Sequence, residues 1–323
     1  MNNNDLNICQ VSLNRDIPII IENFENLKKI YQDNLKLNII CPENQLDEFK
    51  QKLNFKEVNI INENHLISFN EFTSIFDKNN SLIDYKDQFR KRLNWYYQQV
   101  LKITFSLNFI LKNKKKIVIW DADTVILNKI DFFRGNLSRK YGNFFEFHKA
   151  YYLTNKNILK KLPNYFISFL NQFIAISEEE CVYIITNYIK NENLEKVSAV
   201  KIANLVMKSI FITHKDYNGS MFSEYELIGQ ANYILKKEMQ KPLLFLRFGL
   251  DGKLTNLQKK ISILLGYKHV TYEHSHPNSK SEGMLNRNQS WFGFFKIIFK
   301  NFFKFYLRYI RHLALYKLSN IRK

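Results

Sequence analysis

Two hydrophobic periods alternate along the first part of the chain. Short apolar runs are separated by longer stretches in which apolar residues recur every three or four positions. Residues 6–13 predict a first strand, with Asn14-Arg15-Asp16 as the loop at its end. Residues 18–34 predict a helix, and Leu37–Cys41 a second strand closed by Pro42. Residues 45–53 predict another helix and 57–61 a short strand. This β-α-β-α-β order predicts an α/β fold, with a mostly parallel central sheet and helices on both faces. Residues 62–92 are polar, with Asn-rich and charged turns, and predict a mixed loop and helix region. Asn94–Asn113 reads as a helix with Asn94 as its N-cap, because apolar residues recur at Tyr97, Val100, Leu101, Phe105, Leu107 and Ile110. Strands are predicted at 117–120, 143–147 and 173–177, and helices at 178–190, 198–212 and 223–235. Leu243–Phe248 and His269–Tyr272 complete the set of strands. No internal repeat and no Gly/Ser-rich or Pro-rich linker interrupts the pattern. The clearest boundary falls near 283–290, giving a body over 1–285 and a tail over 286–323.

Composition narrows this picture in two places. The chain has 323 residues, enough for one large α/β domain or two small ones, and an ordinary apolar fraction of 46%. The net charge of +18 invites an anionic partner, but its distribution says more than its total. Residues 291–323 hold Lys296, Lys300, Lys304, Arg308, Arg311, Lys317, Arg322 and Lys323 and no acid, leaving +10 for the rest of the chain. The three cysteines, Cys9, Cys41 and Cys181, are far apart, which argues against a disulfide framework or a zinc cluster and for a reducing compartment. The opening Met1-Asn2-Asn3-Asn4-Asp5 lacks the basic-then-apolar pattern of a signal peptide. No charge-free run approaches the roughly 20 apolar residues of a membrane span. A cytoplasmic protein is expected.

The candidate chemistry centres on Ile117–Leu127. An apolar strand runs into Asp121 and Asp123, and a second apolar run leads away. Such a pair has three readings. It can be a solvated pair at a strand end. Asp121, Asp123 and Val125 also match the Asp-x-Asp-x-[Thr/Val] pattern of haloacid-dehalogenase-type phosphatases, with Asp121 as a covalent nucleophile. Those enzymes place the motif on their first strand, whereas here an α/β start precedes it, and no Asp-Asp or Gly-Asp-x-x-x-Asp follows. In the third reading two repelling carboxylates hold Mg²⁺ or Mn²⁺, with phosphate oxygens of a substrate completing the shell.

Two further segments favour the third reading. Trp95-Tyr96-Tyr97-Gln98-Gln99-Val100-Leu101-Lys102, the Asp121 segment and Ser223-Glu224-Tyr225-Glu226-Leu227 follow one another in an order and spacing that resemble a bacterial family of GT-A-fold, nucleotide-sugar glycosyltransferases of the surface-glycan type. The resemblance covers about residues 5–280. It implies a nucleotide-binding half over about 1–130 and an acceptor half over 131–285. It implies that Asp121 and Asp123 approach a divalent metal on the donor's diphosphate. It implies a hexosyl-type transfer to a glycan or lipid-linked glycan acceptor in lipopolysaccharide, lipooligosaccharide or capsule synthesis. The rivals from other classes are the phosphatase and a non-catalytic membrane-binding protein.

Other residues enter by position. Lys102 either meets the diphosphate or is a solvated helix lysine, and Gln98 and Gln99 either contact substrate or are polar helix positions. Ser223-x-x-Glu226 is a capping-box pattern, which assigns Glu226 to the Ser223 amide and leaves Glu224 free to face a cleft. Glu224 is the candidate general base or an acceptor-binding group, with Glu226 as the alternative base. A helix N-terminus lowers a carboxyl pKa, which counts against Glu224 as a base. Arg15 and Asp16 are candidates for nucleotide contact, although Asp16 could equally cap the next helix. His274 and His276 close the last predicted strand and are candidates for a metal or phosphate contact, or are surface histidines.

The tail has its own pattern. Lys296, Lys300, Lys304, Arg308 and Arg311 form one stripe of a helix, and most other positions are apolar or aromatic. Such an amphipathic helix suits an anionic membrane surface through residues 291–318, peripheral on the inner face. A helix packed onto the body is the alternative. Nucleic-acid binding is not expected, since no base-reading fold accompanies the charge.

Overall fold

A computed structural model describes residues 6–79, 89–160, 168–190, 195–213, 220–236, 241–249, 253–273, 285–286 and 290–321. Its centre is a five-stranded sheet built from β1 (Leu6–Val11), β2 (Leu35–Cys41), β3 (Val58–Asn62), β4 (Ile117–Trp120) and, after a two-residue hairpin at 133–138, β6 (Phe173–Ile176). The order is β3-β2-β1-β4-β6, and only the β4–β6 pairing is antiparallel. Strands β1, β2, β4 and β6 are buried on both faces, which is why they read as apolar runs, while edge strand β3 is only half-buried.

Two separate cores cover the two faces. Ile8, Leu37, Ile39, Val118 and Trp120 pack under α1 (Ile17–Tyr31) and α2 (Leu46–Lys52). Cys9, Ile40, Ile117, Ile119 and Ile174 pack under α3 (Phe69–Asn79), α4 (Leu93–Asn113), α6 (Glu178–Ile184), α7 (Ala199–Thr213) and α8 (Glu224–Lys236), with α5 (Lys149–Leu159) in the same core. Thus α1, which follows β1, and α4, which precedes β4, lie on opposite faces. The chain order reverses between β1 and β4, and in open α/β sheets the ligand crevice lies at such a reversal, outside the carboxyl ends of the strands.

A second, smaller sheet sits beside this crevice. It comprises β5 (Thr124–Ile126), β8 (His269–Glu273), β7 (Leu246–Gly249) and residues 285–286, with β5 antiparallel to β8. The outer edge of β5 is closed by α1: Ile126 N donates to Asn23 Oδ1 at 2.9 Å, and Asn26 Nδ2 donates to Ile126 O at 3.1 Å. Helix α9 (Asn256–Leu264) and α10 (Trp291–Ile321) complete the third core, in which Phe294, Ile298 and Phe305 meet Val125, Leu127, Phe248, Val270 and Tyr272.

Local expectations differ from the structure at five points. No strand forms over 143–147. Asn143 makes an isolated bridge with Ser168, and its side chain bonds Leu170 O and Phe145 N, which turns the chain. The strand expected at Leu243–Phe248 begins only at Leu246, in β7 (Leu246–Gly249), and a separate two-residue strand precedes it at Lys241–Pro242. Helix 178–190 ends in a wider π turn at 185–189. Helix α4 begins at Leu93 and Asn94 does not cap it; no side chain does. Ser223 precedes α8, whose first residue is Glu224.

Candidate active site

The Asp121–Asp123 turn is held from four sides. Asp121 N donates to Gln172 O at 2.9 Å, Thr124 N to Asp121 O at 3.2 Å, Trp120 Nε1 to Thr124 O at 2.8 Å, and Tyr272 N to Asp123 O at 2.8 Å. The turn joins the large sheet to the small one, so both carboxylates are fixed at the reversal crevice. Both remain partly exposed.

Asp121 faces a buried group. Lys102, on α4, is 3% exposed and donates its Nζ to Asp121 Oδ1 and to Glu224 Oε1, the latter at 2.8 Å. Tyr225 donates its hydroxyl to the same Asp121 oxygen at 2.5 Å, and its ring lies 5.1 Å from Lys102 Nζ. Burial opposes the Lys102 charge, but Asp121 and Glu224 outweigh it and hold the lysine above its ordinary range. Lys102 is therefore an interior countercharge and not a solvated helix lysine.

Glu224 is 2% exposed and does not face open solvent. Burial raises its pKa, Lys102 opposes the rise and Asp121 adds to it. The lowering expected from a helix N-terminus is overcome by desolvation, which removes that objection to a base. Glu226 behaves otherwise than the capping-box pattern predicts. Its Oε1 accepts from Ser168 Oγ at 2.6 Å and Phe169 N at 3.0 Å, and its Oε2 from Gln230 Nε2 at 3.0 Å. It ties α8 to residues 168–169 and stands apart from the Lys102 cluster. The Ser223 half of the box does form, with Glu226 N directed at Ser223 Oγ at 3.5 Å.

Helix α4 clamps the segment that delivers Glu224. Trp95 Nε1 donates to Phe222 O at 3.3 Å, Met221 N donates to the Tyr96 hydroxyl at 3.1 Å, and Glu224 N donates to Gln99 Oε1 at 3.1 Å. Gln99, fully buried, thus serves the site through Glu224, while Gln98 is half-buried.

Asp123 collects carboxylates. Desolvation, Asp121, Asp16 and Glu273 push it well above the ordinary aspartate range, and Lys102 offsets them only in part. Asp16 therefore belongs to the site's electrostatics. Its carboxylate accepts from Leu13 N at 3.3 Å and Ser12 Oγ at 3.4 Å and makes no cap bond to α1. Arg15 is exposed beside it, 3.8 Å away. His274 and His276 lie outside the described residues, directly after Glu273 at the end of β8.

Three residues of this neighbourhood escape sequence reasoning. Arg247, on β7, pairs with Glu273 and with Glu146 at 3.0 Å; burial opposes its charge, and Glu146, Glu273 and Asp123 raise its pKa. Its signal was a lone base inside the apolar run Leu243–Phe248. Glu273 was visible as the acid ending the last strand. Tyr225 lay unremarked between two glutamates. Among the described residues no group of three or more His, Cys, Asp or Glu side chains is arranged to hold a metal ion by itself. Two carboxylates at a crevice instead suit a cation whose remaining ligands arrive with a phosphate substrate.

No protein-family profile and no curated protein matches the chain in sequence. Among solved structures it resembles mouse xyloside xylosyltransferase 1 in its apo form, at 11% identity and a TM-score of 0.41, over 85% of this chain and 99% of that one. It also resembles the galactosyltransferase LgtC in complex with donor and acceptor sugar analogs, at 8% identity and a TM-score of 0.43, over 84% and 88% of the two chains. An active-site mutant of LgtC aligns at 8% identity and a TM-score of 0.45, over 90% and 95%. At these values the likeness is one of overall outline and assigns neither a residue nor a reaction.

Proposed function

We propose that the chain is a metal-dependent glycosyltransferase of the GT-A type, moving a sugar from a nucleotide-sugar donor to a glycan acceptor. The observation that carries this reading is the meeting of the Asp121–Asp123 turn with Lys102, Glu224 and Tyr225 at the reversal crevice. A crowd of carboxylates around Asp123 disfavours its ionised form, and a divalent cation is what relieves such crowding.

Asp123 and Asp121 would hold Mg²⁺ or Mn²⁺ here, with one Asp121 oxygen already engaged by Lys102 and Tyr225. His274 and His276 are further candidate ligands. When bound, the ion supplies positive charge to the diphosphate that leaves as the sugar–phosphate bond breaks. The protein's own groups do the rest. Lys102 and Tyr225 keep Asp121 oriented. Glu224, with its raised pKa, is the proposed base for the acceptor hydroxyl if the transfer inverts, or an acceptor-binding group, and in this structure it lies buried against Lys102. Arg15 and Asp16 flank the nucleotide side. The acceptor proposed is a lipopolysaccharide, lipooligosaccharide or capsule precursor at the inner face of a bacterial membrane, with residues 1–130 proposed to serve the donor and 131–285 the acceptor.

The test is a thermal-shift titration with nucleoside diphosphates. Stabilisation is expected only with Mn²⁺ or Mg²⁺ present, and Asp123→Ala should abolish it. A shift that persists in Asp123→Ala, or that needs no metal, removes the metal-bridge assignment. A screen of nucleotide sugars for metal-dependent hydrolysis then identifies the donor.

A further inference from the structure

Helix α10 presents three distinct faces. Phe294, Ile298, Phe305 and His312 are buried against the body, and the Tyr267 hydroxyl donates to Ile298 O at 2.8 Å. Arg308 bonds Phe144 O and lies 5.4 Å from the Phe145 ring. At about 3.6 residues per turn, a second row runs along the far side through Phe292, Phe295, Phe299, Phe303, Tyr306 and Ile310, joined by Leu307. Every one of these seven large side chains is exposed, from 36% for Phe295 to 79% for Phe292. The basic residues Lys296, Lys300, Lys304, Arg308 and Arg311 occupy the sector between the two rows.

We propose that α10 lies on an anionic lipid bilayer through the Phe292–Ile310 row while its Phe294–Phe305 face stays packed on the body. Burial in the body and membrane contact are usually alternatives for one amphipathic helix. Here they use opposite sides, so neither displaces the other. The row exposes more aromatic surface than a soluble helix face carries, and its length supports an in-plane helix. Among the described residues no helix is long and apolar enough to cross a membrane. The charge decides the partner. With no acid anywhere in 291–323, the flank next to the apolar row complements anionic headgroups and repels a second copy of itself. Because the buried face packs on the sheet that contains β5 and β8, the bilayer would lie one helix away from the strands that flank Asp123. The proposal stands independently of which reaction the site performs.

Full-length protein is sedimented with phosphatidylglycerol-containing vesicles and with pure phosphatidylcholine vesicles. Binding is expected only to the former, falling with salt. Combined Lys296→Gln, Lys300→Gln and Arg311→Gln should weaken it about a hundredfold, at roughly fivefold per charge. Phe292→Ser, Phe303→Ser, Leu307→Ser and Ile310→Ser together should abolish it with an unchanged melting curve, since all four are exposed. Asp123→Ala should bind vesicles as the parent does. Phe144→Cys and Phe305→Cys, at positions whose rings lie 5.9 Å apart, are joined by a short thiol-reactive crosslinker to lock the helix to the body. The crosslinked protein should bind as well as the uncrosslinked variant; loss of binding on crosslinking overturns simultaneous docking. Equal binding to neutral vesicles, full binding by the serine variant, or a wild-type dimer that ignores vesicles and dissociates in the serine variant each overturns the lipid assignment.

Discussion

Replacing Lys102 by Met tests the electrostatic logic of the site directly. The side chain keeps its length and its packing in α4 but loses the ammonium that serves Asp121 and Glu224. The two carboxylates are not affected equally. Asp121 is 26% exposed in its side chain and retains the Tyr225 hydroxyl, so water and one strong donor remain. Glu224 is 2% exposed and pairs through Lys102 at 2.8 Å, so it becomes a buried charge without a counterion. Breaking a buried pair from one side costs about 3–5 kcal/mol, a large share of the roughly 5–15 kcal/mol that holds a domain together. Most of that cost is Glu224's. Its pKa, already raised by burial, rises further in the variant.

The sign of the pH dependence follows. A carboxyl whose folded pKa exceeds its unfolded value binds its proton more tightly when folded. Its contribution is complete below the unfolded pKa and is lost as pH rises through the folded pKa. Urea unfolding should therefore show Lys102→Met closer to wild type at pH 5 than at pH 8. Adding Glu224→Gln to Lys102→Met should recover most of the loss, because the amide needs no counterion. If Lys102→Met costs less than about 1 kcal/mol at pH 8, or if Glu224→Gln recovers nothing, the buried ion-pair account is wrong.

Other sites give sharper single readouts. A Cβ at Gly229 would sit 2.1 Å from the Phe169 ring, so Gly229→Ala should destabilise by about 1–3 kcal/mol by denaturant titration, despite alanine's helix propensity; combined with Phe169→Ala, which removes the Cγ and Cδ atoms it would meet, its cost should be smaller than in the parent. His269 is buried, stacks 5.0 Å from Phe245, has no hydrogen-bond partner among the described residues, and is pushed down to about 3 by burial. Its neutral form stabilises the fold fully above the unfolded pKa near 6.5, and the contribution is lost as pH falls toward 3. His269→Phe should gain about 2 kcal/mol relative to wild type between pH 8 and pH 5, and a pH-independent difference would refute it. Asp123→Asn should raise the melting temperature of the ligand-free protein, by about 1 kcal/mol in stability, because it removes the charge that Asp121, Asp16 and Glu273 oppose; a lower melting temperature would contradict that crowding.

The order of strands and helices was legible because buried strands and amphipathic helices carry different periods, and those periods are local. The Asp121 turn was legible for the same reason: an apolar run ends on two acids, and strand ends are where sites open. What stayed hidden depends on partners far along the chain. Lys102 meets acids 19 and 122 positions away, so its neighbours in sequence say nothing about its burial. Glu226 fits a local capping box, yet Ser168 and Phe169, 58 and 57 positions back, compete for its carboxylate and win. The run at 143–147 has the aromatic content of a strand, but Phe144 packs against Phe305 and His312 of α10 and Phe145 against Phe245.

The same long-range view changes the meaning of the Trp95–Gln99 segment. Its residues bond Phe222 O, Met221 N and Glu224 N, so three of its side chains grip the backbone that carries the Ser223–Glu226 segment. The two stretches that carry the family resemblance are thus halves of one clamp. Its product is a position: Glu224 and Tyr225 are set against Lys102 and Asp121 before any ligand arrives. Side chains held this way lose little freedom on binding, and displacement of about an ångström is enough to spoil such a constellation. Trp95 and Gln99 therefore fix where the Glu224 carboxylate and the Tyr225 hydroxyl stand.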